Sequence, residues 1–91
     1  MELTTIIKFS ADWCQPCKNF APIFEEVSKM DDFKNITFSE IDIDEDTNFF
    51  VEKFNIKNVP SVVFLDEENN VIKKLIGGVS KTDFIKLLND I

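Results

Sequence analysis

An α/β fold with one mixed four-stranded sheet and elements in the order β-α-β-α-β-β-α follows from three observations. Apolar runs of strand length, around Ile6 to Phe9, Asn35 to Ile43 and Ser61 to Leu65, alternate with stretches of helical periodicity. Such β-α-β order favours parallel strands joined by right-handed crossovers. The turn-forming cluster Asp66 to Asn70 then separates two runs closely enough for an antiparallel hairpin.

Each element has a local reason. Thr5-Ile6-Ile7-Lys8-Phe9-Ser10 is apolar on both alternating faces apart from Lys8, as expected of a strand covered on both sides. From Lys18 to Met30, the residues Phe20, Ile23, Phe24, Val27 and Met30 form a helical stripe opposed by Lys18, Asn19, Glu25, Glu26 and Lys29. Pro22 falls inside this helix, where it removes an amide donor and is expected to kink it. Asn35 to Ile43 alternates and is rich in β-branched residues. Asp44-Glu45-Asp46-Thr47 supplies helix-start chemistry for a short helix over Asn48 to Phe54, with Phe50 and Phe54 on one face. Ser61 to Leu65 and Val71 to Ile76 make the hairpin, and Gly77-Gly78 ends its second strand. Ser80-Lys81-Thr82-Asp83 resembles a capping box before a last helix that carries Phe84, Leu87, Leu88 and Ile91.

With 91 residues, 44% of them hydrophobic, the chain is expected to form one small domain spanning residues 1–91, with a core but little surplus stability. Phe supplies 10 aromatic residues and Trp one. The net charge of -7, with Lys as the only basic residue type, argues against nucleic-acid or anionic-lipid partners. The N-terminal residues lack the basic start and apolar core of a secretory signal, and no apolar run approaches ~18 residues. A soluble, cytoplasmic monomer is the expectation.

Both cysteines belong to Trp13-Cys14-Gln15-Pro16-Cys17-Lys18, at the junction of the first strand and first helix. Sulfurs placed there lie near the free amides of a helix N-terminus, which favour a thiolate, and a disulfide can close. A bridge across so small a loop adds little stability, so a redox-active pair is expected rather than a structural staple. Zinc normally takes four Cys or His ligands, and with no His and no third Cys a metal role is not expected. The Asp42 to Asp46 acids lack the Gly and terminal Glu of a calcium loop and are expected to be a solvated helix start.

From about Ile6 onward the chain resembles the thioredoxin family. The resemblance rests on Phe9-Ser10-Ala11-Asp12-Trp13-Cys14-Gln15-Pro16-Cys17-Lys18, Pro22, Ile41-Asp42-Ile43-Asp44, Val59-Pro60 and Gly77, in that order. It implies a minimal thioredoxin fold and a thiol-disulfide oxidoreductase without a bound cofactor. Cys14 would be the exposed nucleophile and Cys17 the resolving thiol. Pro60 would follow a cis peptide bond, leaving Val59 backbone groups free to pair with an extended substrate. Trp13, Gln15, Pro16, Val59, Pro60 and Gly77 would border the substrate groove. The implied partners are disulfide-containing proteins and a separate reductase of the thioredoxin reductase type.

Three departures stand against the family pattern. Gln15 replaces the usual Gly between Cys and Pro, and the chain begins at the family's second strand, lacking the usual first strand and helix. The family's buried Asp six residues before the first cysteine is Lys8, and its Lys four residues before Asp44 is Glu40. Lys8 and Glu40 are therefore expected to form a reversed, partly buried ion pair beneath Cys17, with Glu40 handling its proton. Breaking a buried pair costs about 3–5 kcal/mol, so Lys8→Ala is expected to cost more than Lys8→Ala combined with Glu40→Ala. The short N-terminus and Gly77-Gly78 give some support to a glutathione-dependent, glutaredoxin-like alternative, against which stand Trp13 and Pro16. A binding subunit with incidental cysteines is a third reading.

Overall fold

The computed structural model of the chain describes residues 2–91. Its strands are β1 (Leu3–Ser10), β2 (Thr37–Asp42), β3 (Ser61–Asp66) and β4 (Val71–Ile76), and its helices are α1 (Gln15–Ser28), α2 (Phe50–Lys53) and α3 (Lys81–Asn89). The sheet order is β2-β1-β3-β4, with β1 parallel to β2 and antiparallel to β3. The expected mixed sheet and element order are observed.

The two central strands explain the run of apolar residues on alternating faces. On one face, Ile6, Val62 and Phe64 pack with Phe20, Phe24 and Val27 of α1 and with Phe84 and Leu88 of α3. On the other, Ile7, Phe9, Val63 and Leu65 pack with Phe54 and the partly buried Phe50 next to it. Phe84 meets Phe20 edge-on at 5.4 Å between ring centres and stacks on Phe24 at 5.9 Å. Such aromatic pairs add to the free energy of area burial.

Element ends differ from expectation where side chains cap them. Helix α1 begins at Gln15 rather than Lys18 because Cys14 itself acts as the N-cap, its sulfur accepting the Cys17 amide. It continues through Pro22, at an exposed position, to Ser28. Helix α2 shrinks from the expected Asn48–Phe54 to a single turn, because Phe49 at its N-cap adopts a left-handed φ of 58°. The acidic stretch before it forms a short 3-10 helix over Ile43–Glu45 instead. Asp46 still serves the helix, accepting the amides of Asn48 and Val51, and the Val51 bond leads in holding its carboxyl below the usual range. Ser80 caps α3 by accepting the Asp83 amide at 3.1 Å.

The hairpin turn depends on Asp66, which is fully buried yet surrounded by donors. Its carboxylate accepts the amides of Asn70 and Glu68, each at 2.9 Å, and the Asn70 side-chain nitrogen at 3.5 Å. The Asn70 amide, followed by those other bonds, lowers its pKa against the opposing effect of burial. A carboxylate with a lowered folded pKa stabilises the fold above its unfolded value and loses that contribution as pH falls through the lowered one. Wild-type stability should therefore decline as pH falls below about 3.8, and Asp66→Asn should be less stable at neutral pH with a flatter acid limb, as read by thermal melts across pH. In the core, Phe84→Ala should cost about 3–5 kcal/mol in denaturant unfolding.

Candidate functional site

Strand β1 ends at Ser10, and Ala11 turns the chain so that its carbonyl accepts the Cys14 amide at 3.2 Å. Cys14 is extended, with φ -95° and ψ 109°, and the helix starts directly after it. Pro16, inside the first helical turn, has no amide to leave unsatisfied there. Cys14 and Cys17 are joined as a disulfide, with Cα atoms 5.2 Å apart. The Cys17 amide donates to Cys14 Sγ at 3.2 Å. This places the first sulfur against the positive end of α1, where negative charge on sulfur is stabilised when the bridge opens.

The cysteines are more covered than the resemblance implied, Cys14 being 5% and Cys17 3% exposed. Ala11 completes their buried cluster, with Ile43 and Val59 packed against it. Cys14 Sγ lies 3.6 Å from the Val59 carbonyl oxygen. Within the disulfide this is a contact, because the sulfur carries no hydrogen; as a thiol it could donate. The Val59-Pro60 bond is cis, as expected. The Gly77 amide donates to the Pro60 carbonyl at 2.8 Å, tying the loop after β4 to the Pro60 turn. Gly77 takes φ +87°, which favours glycine, and a Cβ on Gly78 would come within 3.2 Å of the Phe20 side chain, a tight contact.

Trp13 stands 68% exposed beside the disulfide rather than in the core. Its indole nitrogen donates to Asp44 Oδ2 at 3.0 Å, and the Asp44 amide in turn donates to Asp42 Oδ1 at 2.9 Å. Asp44 is thus a site residue that sequence reasoning treated as a solvated helix start. No local signal marks it, since its partner lies 31 residues away. Trp13, Ile43, Val51, Ile56 and Val59, with Lys57 and Asn58, line a cleft of about 290 Å³. Pro16, Asn19, Ile23, Gly78 and Val79 border a separate hollow of about 380 Å³. Gln15 is exposed and donates to Asn19 at 3.0 Å, along the helix.

Lys8 and Glu40 are register partners on β1 and β2, and their charged groups meet at 3.4 Å. Their burial is one-sided, with side-chain exposure of 2% for Lys8 and 57% for Glu40. The Lys8 ammonium also lies 5.1 Å from the Phe24 ring centre, and Ser10 Oγ donates to the other Glu40 oxygen at 3.1 Å. Hydrogen bonds join neither charged group to a cysteine among the described residues; the connection runs through Ser10 and Ala11 to the Cys14 amide.

Residues 2–90 match the family model for thioredoxin. The chain is 36% identical over 83 residues to a thioredoxin of Mycoplasmoides gallisepticum, covering 91% of this chain and 79% of that protein. It is 39% identical over 75 residues to thioredoxin H5 of Oryza sativa, covering 82% of this chain but 53% of that longer protein. Among solved structures, thioredoxin-2 of the malaria parasite superposes with a TM-score of 0.85 at 25% identity, over 100% of this chain and 86% of the other.

The one-sided burial refines the energetic expectation for the pair. Removing Lys8 leaves an exposed carboxylate that water can solvate, whereas removing Glu40 leaves an ammonium stranded in the core. Glu40→Ala should therefore cost about 2 kcal/mol or more, and Lys8→Met should cost less or be neutral, by urea unfolding of the oxidised protein. Equal costs for the two single variants would contradict this assignment.

Proposed function

The chain belongs to the thioredoxin family and is a thiol-disulfide oxidoreductase, and on that premise we propose that it is a cytoplasmic, monomeric protein disulfide reductase of one domain, re-reduced by a separate reductase of the thioredoxin reductase type. The observation that carries this reading is the Cys14–Cys17 bridge at the N-terminus of α1, with the Cys17 amide on Cys14 Sγ and the Val59 carbonyl beside it.

In the proposed cycle the reduced protein presents a Cys14 thiolate, favoured by the helix N-terminus, to a substrate disulfide. Attack forms a Cys14–substrate mixed disulfide and expels the substrate's other sulfur as a thiolate, which takes up a proton. Cys17 then loses its proton and attacks Cys14 Sγ, closing the intramolecular disulfide and releasing the second substrate thiolate. Two electrons pass to the substrate in all. Glu40 is proposed to accept the Cys17 proton through water; its exposure gives exchange with solvent, and Lys8 and Ser10 hold its two oxygens.

Trp13, Gln15, Pro16, Val59, Pro60 and Gly77 are proposed to contact the substrate. The cleft between Trp13 and Val59 opens beside the sulfurs and has apolar walls suited to a side chain flanking the target cysteine. The Trp13–Asp44 hydrogen bond holds one wall without covering the apolar ring. No helix is long and apolar enough to cross a membrane among the described residues.

Cys17→Ser should accumulate mixed disulfides with substrate proteins, visible on non-reducing gels, because the resolving attack is lost. Cys14→Ser should abolish both turnover and trapping; retained activity in it would overturn the assignment. Turnover should be supported by a thioredoxin reductase with NADPH, and rapid glutathione-dependent turnover would reject the proposed donor. Glu40→Gln should slow release of the mixed disulfide by about tenfold, less than the 10²–10⁴-fold of directly acting general acid-base groups because the transfer runs through water.

A further inference from the structure

Lys8 is the one lysine of the described residues that is fully buried; its side chain extends beneath α1 with only the ion pair and an aromatic face as polar company. Burying an ammonium is costly, and replacing such pairs by apolar residues is often neutral or stabilising. Packing alone thus gives little reason for a lysine at the centre of a sheet otherwise filled by Ile, Val and Phe. What the cation does is found in its asymmetry. Glu40 meets solvent, so its field is screened, whereas the field of Lys8 spreads through the low-dielectric interior. Toward the interior, the pair acts as a net positive charge.

That interior includes the sulfurs. Lys8 lies on the face of β1 covered by α1, against Phe24, two turns along the helix from Cys17 and on the same buried side. Seven residues of helical rise separate Phe24, the ring the ammonium lies against, from Cys17, a span of about 10 Å along α1. Ser10, bonded to the same carboxylate, lies two residues from Lys8 and one from Ala11, whose carbonyl holds the Cys14 amide. Among the described residues the one other buried charged side chain is Asp66, at the opposite end of β1, so Lys8 is the buried charge on the cysteine side of the sheet.

We propose that Lys8 is a positioning charge that sets the redox equilibrium of the Cys14–Cys17 pair, stabilising the reduced, partly ionised form and making the disulfide more oxidising than it would be over a neutral residue. The proposal rests on the Cys14–Cys17 pair being the redox site and adds an equilibrium property to it, separate from the proton transfer assigned to Glu40. The reaction concerned consumes the Cys14–Cys17 disulfide and two electrons with two protons from a dithiol, and yields the Cys14 and Cys17 thiols and the oxidised dithiol. A thiolate among the products gains from a nearby cation, while the neutral disulfide gains nothing, so the equilibrium moves toward the reduced protein. At ~10 Å and an effective dielectric constant of ~20, the Coulomb interaction corresponds to about a tenfold change in equilibrium constant before screening by Glu40 and solvent.

The test is equilibration of the whole chain with dithiothreitol redox buffers at about pH 8, where an ordinary thiol is partly ionised, with the reduced fraction read by thiol alkylation and mass shift. Lys8→Met should lower the equilibrium constant for reduction about three- to tenfold, a fall of ~14 to 30 mV at 29.6 mV per decade for two electrons. Glu40→Gln should move it in the opposite direction, since it removes the screening anion and leaves the cation. Opposite signs are what a charge effect requires; loosening of the fold would move both variants the same way. Unfolding of each variant in both redox states shows whether it is folded at the measurement. Equal-sign shifts, or a Lys8→Met constant within twofold of wild type, would overturn the proposal. Loss of disulfide exchange in Cys14→Ser without any such shift in Lys8→Met leaves the redox site standing and rejects only the role of Lys8.

Discussion

The chemistry depends on one residue serving two purposes. Cys14 is at once the N-cap of α1 and half of the disulfide, so the sulfur proposed as nucleophile is the acceptor that satisfies an orphan helix amide. That coincidence requires β1 to end, and α1 to begin, within the few residues from Ser10 to Gln15. Everything that fixes the sheet and the helix against each other therefore fixes the sulfur. The Phe20, Phe24, Phe64 and Phe84 cluster clamps α1 and α3 to the central strands, and Gly78 packs closely against Phe20.

The surroundings divide into an outer and an inner half. Outside, Trp13 is held by Asp44 and faces solvent across a cleft from Val59, while Gly77 ties its loop to Pro60. These contacts come from four separate segments, so the wall beside the disulfide exists only when the sheet is complete. Inside, Lys8 and Glu40 form a charge pair whose members live in different media. In water the pair would be worth little, but with the ammonium alone desolvated its energy and its field both fall on the protein side.

Much of this was legible from residue order. Apolar runs, the alternation in Asn35 to Ile43, the Asp66 to Asn70 turn and the helical period of 3.6 located every strand and the two long helices, because their apolar residues must face a core. The spacing of Cys14 and Cys17, read with Pro16, marked the site, and the register of Lys8 with Glu40 came out as anticipated from the resemblance. Helix α2 was less legible: its acids promised a helix start, but Phe49 entered the left-handed region and Asp46 reached across to Val51, shortening the helix to one turn. The exposure of Cys14 was overestimated because its neighbours Ile43 and Val59 come from distant strand ends.

Local chemistry thus determined by itself the order of elements and the reactive pair, since each needs only periodicity, spacing or residue type, while the charge reversal at positions 8 and 40 came from the family resemblance. Tertiary structure decided what those residues face. Trp13 meets Asp44 across 31 residues, Cys14 meets the Val59 carbonyl across 45, and Lys8 is buried while its partner is not. Solvent exposure and through-space contact belong to the packed chain, and no local pattern encodes on which side of an ion pair the water will be.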